Sequence, residues 1–183
     1  AQSTAAGDGF ANFWLHNGLV TYEGEKMSKS IGNTVSPAEM LQAARPLVVR
    51  YYLGQAHYRS VLDYRPTSLE EAKTAVERVE SFLAAHLEQI NRAAQVPEDF
   101  AAAMDDDLNI PRALAVLHEK VREGNSAVSQ GADVAVVASE VFAMAQVLGL
   151  TQLMSFSGAT GDNGKEHAAL DSLIQSLLVQ RAE

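Results

Sequence analysis

Between residues 24 and 33 the chain reads GEKMSKSIGN, which sets Lys26 and Lys29 among the hydroxyls of Ser28 and Ser30 and between Gly24 and Gly32. Such a set suits phosphate oxygens. Lysines supply mobile point charges, serine hydroxyls and loop N–H groups donate hydrogen bonds, and glycines let the backbone close on an anion. Two lysines three residues apart are more often a solvated surface, so spacing alone leaves both readings open.

The flanking sequence says how the loop is held. Leu19, Val20, Thr21 and Tyr22 have strand character, and Glu23-Gly24-Glu25 supplies a turn. A hairpin over 20–27 therefore delivers Ser28-Lys29-Ser30 to its rim. Upstream, Phe10, Phe13 and Trp14 are spaced to line one face of a short helix, with Trp14 expected in the core. Apart from Met27 and Ile31 the loop has no apolar anchor, so few packing contacts are expected there.

After the loop the pattern becomes helical. Ser36-Pro37-Ala38-Glu39 combines an N-cap serine, a proline in the first turn and a glutamate that completes a capping box. Pro46 separates that helix from one running from Leu47 to about Ala56. Arg65-Pro66-Thr67-Ser68 introduces a long helix, with Ser68 and Glu71 expected as a second capping box. Its apolar stripe is Leu69, Ala72, Val76, Val79, Leu83 and Ile90. Pro97 opens a short helix, Asn109 to Arg122 carries Leu114, Leu117 and Val121 in step, and Val134 to Leu148 is apolar enough to be central. SFSGATGDNG, within residues 155–164, reads as a linker, and His167 to Arg181 as a last amphipathic helix. The fold class expected is mainly α: a helical bundle preceded by a short β-hairpin.

Composition narrows the function classes. The 183 residues contain no cysteine, which excludes a disulfide framework or a thiolate metal site built from this chain. The greasiest stretch, from Val134 to Leu150, is interrupted by Ser139, Glu140, Gln146 and Gly149, so no membrane span is expected. Up to Arg65 the chain has six basic and five acidic residues; beyond it, eight basic face eighteen acidic. The second part is too acidic for broad electrostatic adhesion to nucleic acid, so any contact with a polyanion must be local. AQSTAAGDGF, without an initiating methionine or a basic front, reads as the continuation of something longer.

The pentapeptide KMSKS at residues 26–30, following a short hairpin, resembles the second signature motif of class I aminoacyl-tRNA synthetases. With AQSTAAGDGFANFWLHNGLVTYEGEKMSKSIGN, RYYLGQAHYRSVLDY and AAMDDDLNIPRAL in that order, the resemblance narrows to the cysteinyl-tRNA synthetases and covers nearly the whole chain. It implies a segment of a longer enzyme. Residues 1–35 would be the edge of the catalytic domain with its KMSKS loop, 36–66 connecting helices, and 67–154 a helical tRNA-binding bundle of DALR type. Residues 155–166 would be a linker and 167–183 the start of a C-terminal segment. A Rossmann domain and a zinc-binding segment would come before, and anticodon recognition mainly after.

What the family does then sets expectations for this sequence. ATP with Mg2+, cysteine and tRNA(Cys) are the implied substrates and partners of the parent enzyme. Zn2+ is its implied metal, held by ligands outside this segment. The parent is expected to be a cytoplasmic monomer, and the isolated segment inactive. Lys29 matches the lysine that contacts ATP phosphates as pyrophosphate leaves, and Lys26 an auxiliary charge. Met27 would lie near the adenine, and Ser28 and Ser30 would shape the loop. Arg50, Arg59, Arg65 and Lys73, with Arg45 beside them, are candidate tRNA phosphate contacts. Two competitors stand beside this reading: the related cysteine ligase of mycothiol biosynthesis, and a non-catalytic tRNA-binding or interaction module.

Three further features have two readings each. Asp105-Asp106-Asp107 suggests a magnesium site but fits better as acids favouring the N-terminus of the next helix. His57-Tyr58-Arg59 fits an acceptor-arm contact or a helix end equally well. His16 lies close enough in sequence to the hairpin to approach the site.

Overall fold

The computed structural model describes residues 2–28 and 30–151. Chain order is α1 (Gln2–Ala5), β1 (Val20–Tyr22), β2 (Glu25–Lys26), α2 (Pro37–Ala43), α3 (Pro46–Gly54), β3 (Leu62–Tyr64), α4 (Ser68–Ala85), a 3-10 turn at Leu87–Gln89, α5 (Glu98–Asp105), α6 (Ile110–Ser129) and α7 (Ala135–Val147). The architecture is mainly helical with one small sheet, as the patterning predicts.

Helix starts follow local chemistry. At α2, Ser36 Oγ accepts the Glu39 N–H while the Glu39 carboxylate accepts the Ser36 N–H, so the capping box forms as expected. Pro37, Pro46 and Pro111 sit in first turns, where no intrahelical N–H is lost. At α4 the expected second box does not form. Thr67 occupies the N-cap, and Ser68 Oγ instead accepts the Arg65 N–H at 3.1 Å, closing the turn that leads in. The apolar stripe of α4 is buried as predicted and includes Phe82. Ile90 lies beyond the helix end, past the 3-10 turn, and packs on the core from there. Helix α6 runs seven residues past the expected end at Arg122.

The helices share one core. Leu47, Val48 and Tyr52 of α3, Val79 and Leu83 of α4, Phe100 of α5, Leu117 of α6, and Val141 and Met144 of α7 are all essentially inaccessible. Each such side chain contributes about 1.5–3 kcal/mol on burial. Gly124 of α6 lies where a Cβ would collide with the Phe82 ring, so the crossing of α4 and α6 admits no side chain there.

One polar pair bridges α3 and α6: Tyr51 Oη lies 2.7 Å from His118 Nε2. Burial lowers the His118 pKa, and Arg78 and Arg122 push it the same way, so the ring that meets Tyr51 is held neutral. The unfolded chain then binds a proton near pH 6.5 that the folded chain refuses. Stability is full above that pH and falls as pH drops through the lowered value. The melting temperature is therefore expected to fall between pH 7 and 5.5, and His118→Gln to flatten that fall. An unchanged pH slope in the variant would count against this role.

The sheet has order β2-β1-β3. β1 and β2 are the expected hairpin, with Thr21 opposite Lys26 and Tyr22 opposite Glu25. Both central turn residues, Glu23 (φ 52°) and Gly24 (φ 83°), have positive φ, the conformation that matches the twist of a two-residue hairpin. Strand β3, unexpected from the sequence, pairs parallel to β1 with Val20 opposite Leu62, Thr21 opposite Asp63 and Tyr22 opposite Tyr64. Three residues including an aspartate carry no legible strand signal. The Tyr64 ring lies 5.8 Å from both Tyr22 and Tyr52, which docks the sheet on α3.

Two readings of the first segment are corrected. Phe10, Phe13 and Trp14 lie after α1 in irregular chain, not on a helix, and are 53%, 84% and 62% exposed. A short amphipathic stretch becomes a helix only when something covers its apolar face, and no described residue does so here. Trp14 is thus outside the core, packed at 5.1 Å on Phe10 and stacked at 6.3 Å on His16.

Candidate functional site

Strand β2 ends at Lys26, and the loop that follows is folded mainly on itself. Asn33 closes it: its Oδ1 accepts the Ser28 N–H at 2.8 Å and its Nδ2 donates to the Lys26 carbonyl at 3.2 Å. The Ser28 carbonyl accepts the N–H groups of Ile31 and Gly32, at 3.2 and 3.1 Å, and Gly32 takes the positive φ of 76°. Ser28 Oγ and Ser30 Oγ are 2.8 Å apart, so two hydroxyls meet at the loop end. Lys26 is exposed, Met27 and Ser28 half-buried, and Ile31 points largely into solvent. Lys29, the principal candidate, lies outside the described residues.

The described part of the loop is a compact turn after the hairpin, with Lys26 exposed, the Ser28 and Ser30 hydroxyls together and a side-chain latch at its base. Asn33 closes the GEKMSKSIGN stretch, and its role as latch is not among the sequence expectations. Its signal is an Asx-type side chain able to bond backbone groups nearby in sequence.

Four arginines and lysines proposed for phosphate contact are placed apart. Arg59, after α3, donates to Asp107 with Nε 2.9 Å from Oδ2, while Tyr58 Oη donates to the same carboxylate at 2.6 Å. Arg65, after β3, pairs with Asp63 at 2.9 Å, and Lys73 of α4 lies 3.8 Å from Glu70. Arg50 of α3 lies against Gly149 and lines an apolar cavity of about 220 Å3 with Met104, Leu114 and Leu150. Arg45 is bound to both carboxylate oxygens of Glu80, at 3.1 and 2.7 Å. Each cation except Arg50 thus has its own carboxylate among the described residues.

The acidic triplet is also redistributed. Asp105 ends α5, Asp106 follows it, and Asn109 rather than any aspartate caps α6 by accepting the Arg112 N–H at 3.2 Å. Asp107 reaches across to the His57-Tyr58-Arg59 loop, and the Tyr58 hydroxyl, followed by Arg59, holds its carboxyl below the ordinary range. Among the described residues no three His, Asp or Glu side chains come together as metal ligands, and no described helix is long and apolar enough to cross a membrane.

Residues 1–74 match the family model described as tRNA synthetases class I (C) catalytic domain, and residues 99–152 match the DALR domain. The chain is 66% identical over 188 residues to a cysteine-tRNA ligase of Kocuria rhizophila and 58% identical over 193 residues to that of Paenarthrobacter aurescens. All of this chain aligns in both cases, covering 39% of each relative. A cysteine-tRNA ligase of Streptomyces avermitilis is 46% identical over 188 residues, with 99% of this chain and 40% of the relative aligned. The chain thus spans about two-fifths of the length of these curated relatives.

Proposed function

Because the chain belongs to the cysteinyl-tRNA synthetase family, we propose that it is the segment of a cysteine-tRNA ligase that brings the phosphate-binding loop and a tRNA-contacting helical bundle to the enzyme. The observation that carries this reading is KMSKS at residues 26–30, seated at the end of a hairpin within a chain whose whole length aligns to relatives bearing that name.

In this reading the parent enzyme activates cysteine with ATP and transfers it to tRNA(Cys). The cysteine carboxylate attacks the α-phosphorus of ATP, the bond to the bridging oxygen breaks, and pyrophosphate leaves. Negative charge grows on the leaving oxygens. Lys29 and Lys26 stabilise that growing charge more than they stabilise bound ATP, which lowers the barrier rather than only tightening binding. Ser28, Ser30 and loop N–H groups donate hydrogen bonds to phosphate oxygens, and Met27 lies toward the base. Mg2+ would accompany ATP as part of the substrate, and Zn2+ would serve cysteine recognition. The described residues form no ligand set for either ion.

Arg50, Arg59, Arg65 and Lys73 are proposed as local contacts to tRNA phosphates. Three of them must exchange a carboxylate for a phosphate to do so, which makes the contact weak and salt-sensitive. A cytoplasmic monomer is the setting proposed for the enzyme.

The test is cysteine-dependent ATP–pyrophosphate exchange and cysteinylation of tRNA by the full-length enzyme carrying this segment. Both reactions are expected, with cysteine preferred over serine. Exchange without any transfer to tRNA, combined with transfer to an amino sugar, would replace the reading with that of a mycothiol-pathway ligase. Absence of exchange would leave only the non-catalytic module.

A further inference from the structure

The hairpin that carries the loop contains a conformational weakness. Glu23 occupies the left-handed region, which is unfavourable for a side chain of its kind. An isolated two-stranded hairpin of this length would not hold it. Strand β3 supplies what is missing: the Tyr64 carbonyl accepts the Glu23 N–H at 2.9 Å, and Asp63 Oδ1 accepts the Gly24 N–H at 2.6 Å. Both central amides of the turn are therefore held by adjacent residues of a strand about forty positions away. The same Oδ1 accepts the Thr21 hydroxyl at 2.8 Å on β1, and Oδ2 takes the Arg65 guanidinium at 2.9 Å. One carboxylate thus joins the turn, the first hairpin strand and the segment leading into α4.

We propose that Asp63 is a positioning residue for ATP-phosphate chemistry, anchoring the turn so that the hairpin delivers the 26–30 loop in one orientation. The inference rests on the function proposed above and deepens it. Asp63 touches no substrate in this reading; it acts through the hairpin. A loop lysine that stabilises a leaving group works only within a narrow range of placement, so loosening the turn lowers the rate of the step while leaving cysteine binding alone. The charge of Asp63 is secure at working pH, because the Gly24 N–H, then Arg65 and Thr21, hold its carboxyl below the ordinary range. Only as pH falls through that lowered value is the charge lost, and with it the pair with Arg65. The geometry also gives Arg65 a structural task distinct from tRNA contact.

The acceptor atom and the charge are separable. Asp63→Asn keeps an oxygen for Gly24 and Thr21 and loses the pair with Arg65, whereas Asp63→Ala loses all three bonds. In this 183-residue chain, amide hydrogen exchange at Gly24 is expected to accelerate about tenfold or more in Asp63→Ala and less than threefold in Asp63→Asn. Exchange in α6 and α7 should stay as in the parent chain. In the full-length enzyme, Asp63→Ala is expected to lower kcat for cysteine-dependent pyrophosphate exchange about tenfold with the cysteine KM within twofold, and Asp63→Asn to restore most of it. Should Asp63→Ala fail to fold, Thr21→Val, which removes one donor to the same oxygen, is expected to show the same split at about threefold. Wild-type enzyme without cysteine-dependent exchange would overturn the function on which the inference rests. Exchange in the wild type that Asp63→Ala leaves intact, or an unchanged rate at Gly24, would overturn the role of Asp63 alone.

Discussion

Replacing Lys29 by alanine in the full-length enzyme is expected to slow cysteine-dependent pyrophosphate exchange by roughly 10² to 10³, the scale for removing one preorganised stabiliser of transition-state charge. The cysteine KM should change little, because the role proposed for Lys29 is toward phosphate oxygens and not toward the amino acid. The loss should appear in kcat and in kcat/KM alike, the signature of an interaction made mainly in the transition state. Lys29→Arg should recover only part of it, since a planar fork cannot place its charge as a compact ammonium does. Single-turnover adenylate formation measures the step directly. A large loss of cysteine binding with unchanged adenylation would show that the phosphate role belongs elsewhere, with Lys26 the first alternative.

The second large effect is structural. Helix α5 has only eight residues, too few to persist in water by itself, and it buries Phe100 and Ala103 almost completely. Its stability must come from packing, and Phe100 is the large side chain that packs. Phe100→Ala is expected to cost about 3–5 kcal/mol, from lost transfer energy and the cavity left behind. Against a typical total of about 5–15 kcal/mol, that is a substantial part of the stability of the domain. Val136→Ala on the exposed side of α7, where the side chain is 70% accessible, should change stability by less than about 0.5 kcal/mol. Urea unfolding of the chain, followed by circular dichroism, compares the two. A cost below about 1 kcal/mol for Phe100→Ala would mean that α5 is not an integral part of the core. The consequence reaches the approach to the hairpin, because α5 leads into Asp107, which accepts from Tyr58 and Arg59. Tyr58 in turn accepts the Gly18 N–H on its carbonyl at 2.6 Å, just before β1.

Features decided within a few residues were legible in the sequence. The reciprocal bonds of Ser36 and Glu39, the prolines in first turns, the Glu23-Gly24 turn and the apolar stripe of α4 each depend on neighbours three or four positions away. Local chemistry is sufficient to specify such features. The phosphate reading of the loop stands on other ground: residue types make it reasonable, and resemblance to a family supplies the proposed roles. The tertiary structure alone decided the rest. Ser68 had two possible partners, and the turn from Arg65 claimed it. Trp14 suited a core by composition, yet it is left 62% exposed, against only Phe10 and His16 among the aromatic rings. Asp107 lay beside a helix start in sequence, but an arginine and a tyrosine some 49 residues away took its carboxylate. Asp63 could be read only as an acid in a short segment until β3 paired with β1 and set it beside Gly24, 39 residues distant. Such contacts have no sequence signature, because each carries the entropy cost of closing a long loop. They are made only in the folded chain, where β3 returns to pair with β1 after the intervening α2 and α3.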